Sequence, residues 1–106
     1  MTKIKFRTDV SDDAVKYTFE CTGHCEHDVC VSISALVSTL VQIVRDEYNL
    51  LSTIGEPQIT YESGNVRFAV DFQKSTYYQR TKYALATLET GFMLFESNYP
   101  EEISIE

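Results

Sequence analysis

A chain of 106 residues, 43% hydrophobic and 24% charged, has the length and balance of one globular domain with its own core. Its net charge of −7 argues against nucleic acid as a direct partner, because phosphate binding needs a basic surface, and suits a basic protein or peptide instead. No segment approaches the roughly 18 apolar residues of a membrane span, and Lys3, Lys5 and Arg7 punctuate an N-terminus unlike a secretion signal, so a cytoplasmic protein without a membrane partner is expected.

Residues 2–8 read as a strand with Ile4 and Phe6 on one face. Residues 9–13 are a polar turn. Residues 14–21 alternate, with Val15, Tyr17, Phe19 and Cys21 opposite Lys16, Thr18 and Glu20. That is the period of a half-buried strand, and the two strands form a hairpin. Residues 29–51 predict a helix: Val29, Ile33, Leu36, Leu40, Val44, Tyr48 and Leu51 recur at three- and four-residue steps, with Asp28 as N-cap. Gly55 and Pro57 break the pattern.

Residues 58–62 and 65–72 predict a second hairpin turning at Ser63-Gly64-Asn65, where Gly64 supplies a positive φ. Residues 75–98 predict a second helix capped by Ser75, with a stripe of Tyr78, Leu85, Leu88, Phe92 and Phe95. Gly91 costs about 1 kcal/mol inside a helix and suggests close packing there. Pro100 follows the helix end, and Ile103 and Ile105 alternate with polar residues as in a short last strand. The expected fold is α+β, one domain over residues 1–106. Two antiparallel hairpins share one sheet with both helices on one face, in the order β-β-α-β-β-α, with a short C-terminal strand.

The chemistry is concentrated between the first hairpin and the first helix. Gly23-His24-Cys25-Glu26-His27-Asp28-Val29-Cys30 holds both histidines and two of the three cysteines. With Asp28 as cap, Cys30 falls at the second helical position, where backbone N–H groups and the helix dipole favour a thiolate nucleophile. His24 stands six residues earlier, close enough for a turn to bring it back as general base. Ser34, one helical turn beyond Cys30, shares its face and could serve the sulfur or an oxyanion. The bland alternatives are a buried cysteine, a solvated His27, a core Cys21 and a back-bonded Ser34. An odd cysteine count in a reducing compartment favours free, metal-bound or catalytic thiols. Cys21, His24, His27 and Cys30 also recur every three residues and could hold zinc, although structural zinc usually joins two separated ligand pairs.

The run Gly23-His24, Asp28-Val29-Cys30 and Ser34-Ala35-Leu36 resembles the ribosomal-processing cysteine protease (Prp) family. That family carries Gly-His-Ala, a loop, Asp-Ile-Val-Cys-Ala and then Ser-Ala. The predicted element order resembles its fold over essentially the whole chain. The loop here is shorter, and Asp28 stands two residues before the cysteine, where the family has its aspartate three before. The resemblance implies a cysteine endopeptidase removing an N-terminal extension from a basic large-subunit ribosomal protein, and the shortened loop would also fit a related phage protein with a different substrate. It assigns Cys30 as nucleophile, His24 as general base and Ser34 as an auxiliary. Cys25, Glu26, His27 and Asp28 would form the substrate loop. It also implies a homodimer and no cofactor. A second class of function is a catalytically silent, dimeric interaction protein on the same fold. A third is a small zinc-binding module.

Overall fold

The structure, a computed structural model, describes all 106 residues. Strands β1 (Thr2–Val10) and β2 (Ala14–Thr22) form the first antiparallel hairpin, and β3 (Gln58–Glu62) and β4 (Asn65–Gln73) the second. Helix α1 (His27–Asn49) joins the two hairpins. The second helical stretch is a single turn α2 (Lys74–Thr76), a π turn (Tyr77–Thr81) and α3 (Lys82–Asn98). β5 (Ile103–Ile105) closes the chain and pairs in parallel with β1, giving the sheet order β3-β4-β2-β1-β5.

Alternation fixes which face is covered. Ile4, Val15, Tyr17, Phe19, Phe68, Val70 and Phe72 are buried beneath the helices. Lys3, Lys5, Lys16, Glu20 and Arg67 stand on the open face, as one-sided antiparallel sheets require. Phe19 stacks on Phe68 at a centroid separation of 5.3 Å and meets Phe92 of α3 at 5.7 Å, so the aromatic centre bridges sheet and helix.

Both helices depart from their expected registers. α1 begins at His27 and ends at Asn49, two residues earlier at each end than the hydrophobic pattern suggested. Its buried stripe takes Val37, Val41 and Glu47 rather than Leu36, Tyr48 and Leu51. Glu47 is tolerated there because Arg80 meets it with two hydrogen bonds, at 2.9 and 3.2 Å, while Arg80 also donates to Ser52 at 2.6 Å. Leu51 instead turns outward at a φ of 60°, beyond the helix end.

In the second helical stretch the cap is Gln73, not Ser75, and no side chain caps it. The π turn places an extra residue in the spiral, which rotates everything before it relative to α3. Tyr77 therefore lies inward against Phe72, and Tyr78, the expected stripe residue, is exposed. Gly91 does face α1: a Cβ there would stand 3.4 Å from a Leu36 methyl, in ordinary contact.

One expectation about membranes needs correction. α1 is long and apolar enough to cross a bilayer, with a mean hydropathy of 1.6 over an 18-residue window. Its uninterrupted apolar length arises because Ser32, Ser34, Ser38 and Thr39, not charges, fill its outer positions. In this fold the stripe from Val29 to Val44 covers the sheet.

Candidate active site

The β2–β4 register brings two loops to one end of the sheet. Cys21 pairs with Val66 and Thr22 with Asn65, so the exit from β2 lies beside the β3–β4 turn. The chain leaves β2 through Gly23 at a φ of 94°, where any Cβ would strike the Met1 carbonyl. The Gly23 N–H donates to the Gly64 carbonyl at 3.0 Å. That bond delivers His24 onto the opposite turn. A Cβ built on Gly64 would stand 2.6 Å from His24 Nε2 and 3.0 Å from its Cε1. Gly64, at a φ of 74°, thus makes the hairpin turn and leaves room for the imidazole.

Cys30 is delivered by the helix start. Glu26 is the N-cap, with an extended φ/ψ of −56°/145°, and the Cys30 N–H donates to its carbonyl at 2.8 Å. Cys30 is therefore the fourth helical residue, not the second, and Asp28 is not the cap. Asp28 sits inside the first turn, where its carbonyl accepts the Ser32 hydroxyl at 3.1 Å. The helix can start earlier because the tail supplies the missing acceptor: the Glu26 N–H donates to the Glu102 carboxylate at 2.8 Å. Glu102 thereby plays the part of the acidic residue in a capping box. The amides without an intrahelical acceptor belong to His27, Asp28 and Val29, while that of Cys30 is already used.

His24, Cys30 and Ser34 line one cleft of about 340 Å³. Cys21, Ile33, Val37 and Val66 give it an apolar base, and Tyr61 to Asn65 form a wall from the second hairpin. Tyr61 reaches across to Ser38 on α1, oxygen to oxygen at 2.6 Å, linking the two walls. Glu62 is the only Asp, Glu, Lys or Arg among the 14 lining residues. Ser32 and Thr39 bond back to their own helix, at 3.1 and 2.8 Å, whereas Ser34 keeps its hydroxyl free toward the cleft. His24 and Cys30 share the cleft without a hydrogen bond between them.

The three thiols differ in setting. Cys21, on the inner face of β2, is pushed up to about 11 by burial first and by the neighbouring Cys25 and Cys30 thiols second. Burial also raises Cys25, partly opposed by a hydrogen bond from Thr2. Cys25, Glu26, His27 and Asp28 do not line the cleft, and the last two are helical. The segment between the Gly23 bend and the helix is thus reduced to His24, Cys25 and Glu26. No three His, Cys, Asp or Glu side chains stand in a metal-holding arrangement. Cys21, His24 and Cys30 reach the same cleft, whereas His27 rides on the helix start and does not line it. Thr2 and the Tyr61–Val66 wall escaped the sequence reading, since only the β2–β4 register brings them to the cleft.

Comparison with solved structures identifies the architecture. The S. aureus ribosomal processing protease Prp, with a covalently linked product peptide, superposes with a TM-score of 0.66 at 22% identity, covering 100% of this chain and 98% of that one. The fold is that of Prp. The same S. aureus protein in complex with a substrate peptide gives a TM-score of 0.65 at 20% identity, again over 100% and 98% of the two chains. A Streptococcus mutans protein gives 0.59 at 18% identity, over 100% of this chain and 92% of the other. No protein-family model matches the sequence, and no curated protein does. The Prp-like likeness is thus carried by backbone topology far more than by residue identity.

Proposed function

We propose that this protein is a Prp-type cysteine endopeptidase. The observation that carries the reading is the convergence of His24, Cys30 and Ser34 on one open cleft, in a fold shared end to end with a peptide-binding protease. Cys30 acts as nucleophile and His24 as general base. His24 takes the Sγ proton, the thiolate attacks the scissile carbonyl carbon, and the imidazolium returns the proton to the departing amine. Water, deprotonated by His24, then hydrolyses the thioester. Ser34 donates its free hydroxyl to the developing oxyanion.

The substrate is a basic peptide, as the charge of −7 and the lone Glu62 carboxylate in the cleft favour. By likeness to the ribosomal processing protease, it is the N-terminal extension of a ribosomal protein, or, as the divergent short loop would also fit, of a related phage protein, cleaved in the cytoplasm. Residues 24–26, with His27 and Asp28 at the helix start, form the rim over which the peptide enters.

The active species is a homodimer. Tyr83, Met93 and Leu94 expose an almost uncharged flank of α3, broken only by Glu89 between Tyr83 and Phe95. Tyr78 adds an aromatic edge, whereas Tyr77 is buried and takes no part.

Cleavage of basic ribosomal-type N-terminal peptides, read by mass spectrometry, tests the reading. Cleavage by the native chain, abolished in Cys30→Ser, supports it. Undiminished cleavage in that variant, or none by the reduced native protein, overturns it. The silent interaction protein is the rival, favoured by the shortened segment and the missing His24–Cys30 hydrogen bond. It predicts a folded dimer whose Cys30 ignores thiol-directed peptide probes.

A further inference from the structure

The position immediately before the cap of a helix and its fourth residue commonly pack against each other across the first turn, as in a hydrophobic staple. In α1 those two positions are Cys25 and Cys30, because Glu26 is the cap. The staple of this helix is a pair of thiols. Both are free and half-buried. Cys25 packs against the core edge, and the segment carrying it is clamped from two sides, by the Gly23 bond to Gly64 and the Glu26 bond to Glu102.

We propose that Cys25 and Cys30 form a reversible disulfide that switches the cleft off under peroxide. The disulfide rests on the staple placement of the two thiols, which lie close enough for Cys30 to bear on the ionisation of Cys25, while its effect on catalysis rests on the nucleophilic reading of Cys30. Cys30 is the residue that opens to the cleft and meets the oxidant. Its thiolate attacks one peroxide oxygen; the S–O bond forms, the O–O bond breaks, and the departing hydroxide is protonated to water. The Cys25 thiolate then attacks the Cys30 sulfur; the S–S bond forms, the S–O bond breaks, and a second water leaves with the proton from Cys25. Two thiols lose two electrons to one peroxide. A dithiol reductant returns two electrons and two protons and is itself oxidised.

The closed loop is short, so the bond adds little chain-entropy stabilisation and remains easy to reduce. Such a bond suits regulation and protects Cys30 from further, irreversible oxidation. Cys21 is the competing partner, since it also lines the cleft. Cys21, however, is fixed in β2 by its pairing with Val66 and is more deeply buried, whereas Cys25 stands across the first helical turn from Cys30.

The test treats the full-length protein with stoichiometric hydrogen peroxide and maps the products by mass spectrometry before and after dithiothreitol. The expected product has lost the mass of two hydrogens, links Cys25 to Cys30, blocks Cys30 alkylation and regains it completely on reduction. With excess peroxide, Cys25→Ser should instead accumulate sulfinic acid on Cys30, a second peroxide oxidising the unresolved sulfenic acid, and dithiothreitol should not rescue it; Cys21→Ser should still form the bond under stoichiometric peroxide. A Cys21–Cys30 bridge in the native chain, or sulfinic acid without a bridge, overturns the proposal. A bridge that forms in a protein unable to cleave peptides leaves the switch chemistry standing and defeats the protease reading alone. Peptide cleavage by a protein whose Cys30 oxidises without Cys25 does the reverse.

Discussion

At the residue scale, Gly64 is the position where fold and site meet most tightly. A side chain there would be strained by the φ of 74° and would displace the His24 ring. Gly64→Ala should destabilise the domain by about 1–2 kcal/mol, as a left-handed non-glycine residue does. It should also lower peptide cleavage well beyond that loss, because the base is moved. Denaturant midpoints and cleavage rates measured together separate the two effects.

Cys21 gives a pH prediction. Its thiol binds its proton more tightly folded than unfolded, so its stability contribution is intact below about pH 9.0 and is lost as pH rises towards about 11. Stability should therefore fall across that interval, and Cys21→Ala should flatten this part of the curve. Chemical denaturation at stepped pH checks it. His24 and Cys30 could be singled out in the sequence because their chemistry is carried by residue type. The Glu26 cap was not legible, because its partner, Glu102, lies 76 residues away.

At the scale of elements, the strands were readable and the helix registers less so. Period-2 alternation in β2 and β4 decided their faces directly, and burial follows it. The π turn left no comparable mark, since nothing in Tyr77-Tyr78-Gln79-Arg80-Thr81 announces an extra residue per turn. Tyr77→Ala should consequently cost about 3–5 kcal/mol, in the range for buried aromatic truncation, and Tyr78→Ala far less. The opposite ranking in thermal or urea unfolding would restore the regular helical register. Gly91→Ala should gain up to about 1 kcal/mol, because the new methyl meets Leu36 at an ordinary 3.4 Å while glycine's helix penalty disappears.

At the scale of the whole molecule, one sheet face buries the core and the opposite face stays charged. The cleft opens at the end where β2, α1 and the second hairpin meet. The element order was legible because each hairpin and helix carried its own period. The cleft wall was not, because strand pairing between residues more than 40 positions apart assembles it. The almost uncharged α3 flank, broken only by Glu89, should hold two copies together. Sedimentation should give a dimer, and Leu94→Glu a 12.1 kDa monomer that still folds. A native chain that sediments only as monomer at micromolar concentration would refute the assembly.

The central claim is that His24 and Cys30 act as a pair, and competitive alkylation of the reduced protein at neutral pH tests it most directly. Cys30 should label faster than Cys25 or Cys21, and His24→Ala should slow Cys30 selectively while circular dichroism stays unchanged. Equal labelling of Cys30 and Cys25, indifferent to the His24 change, would contradict the pair.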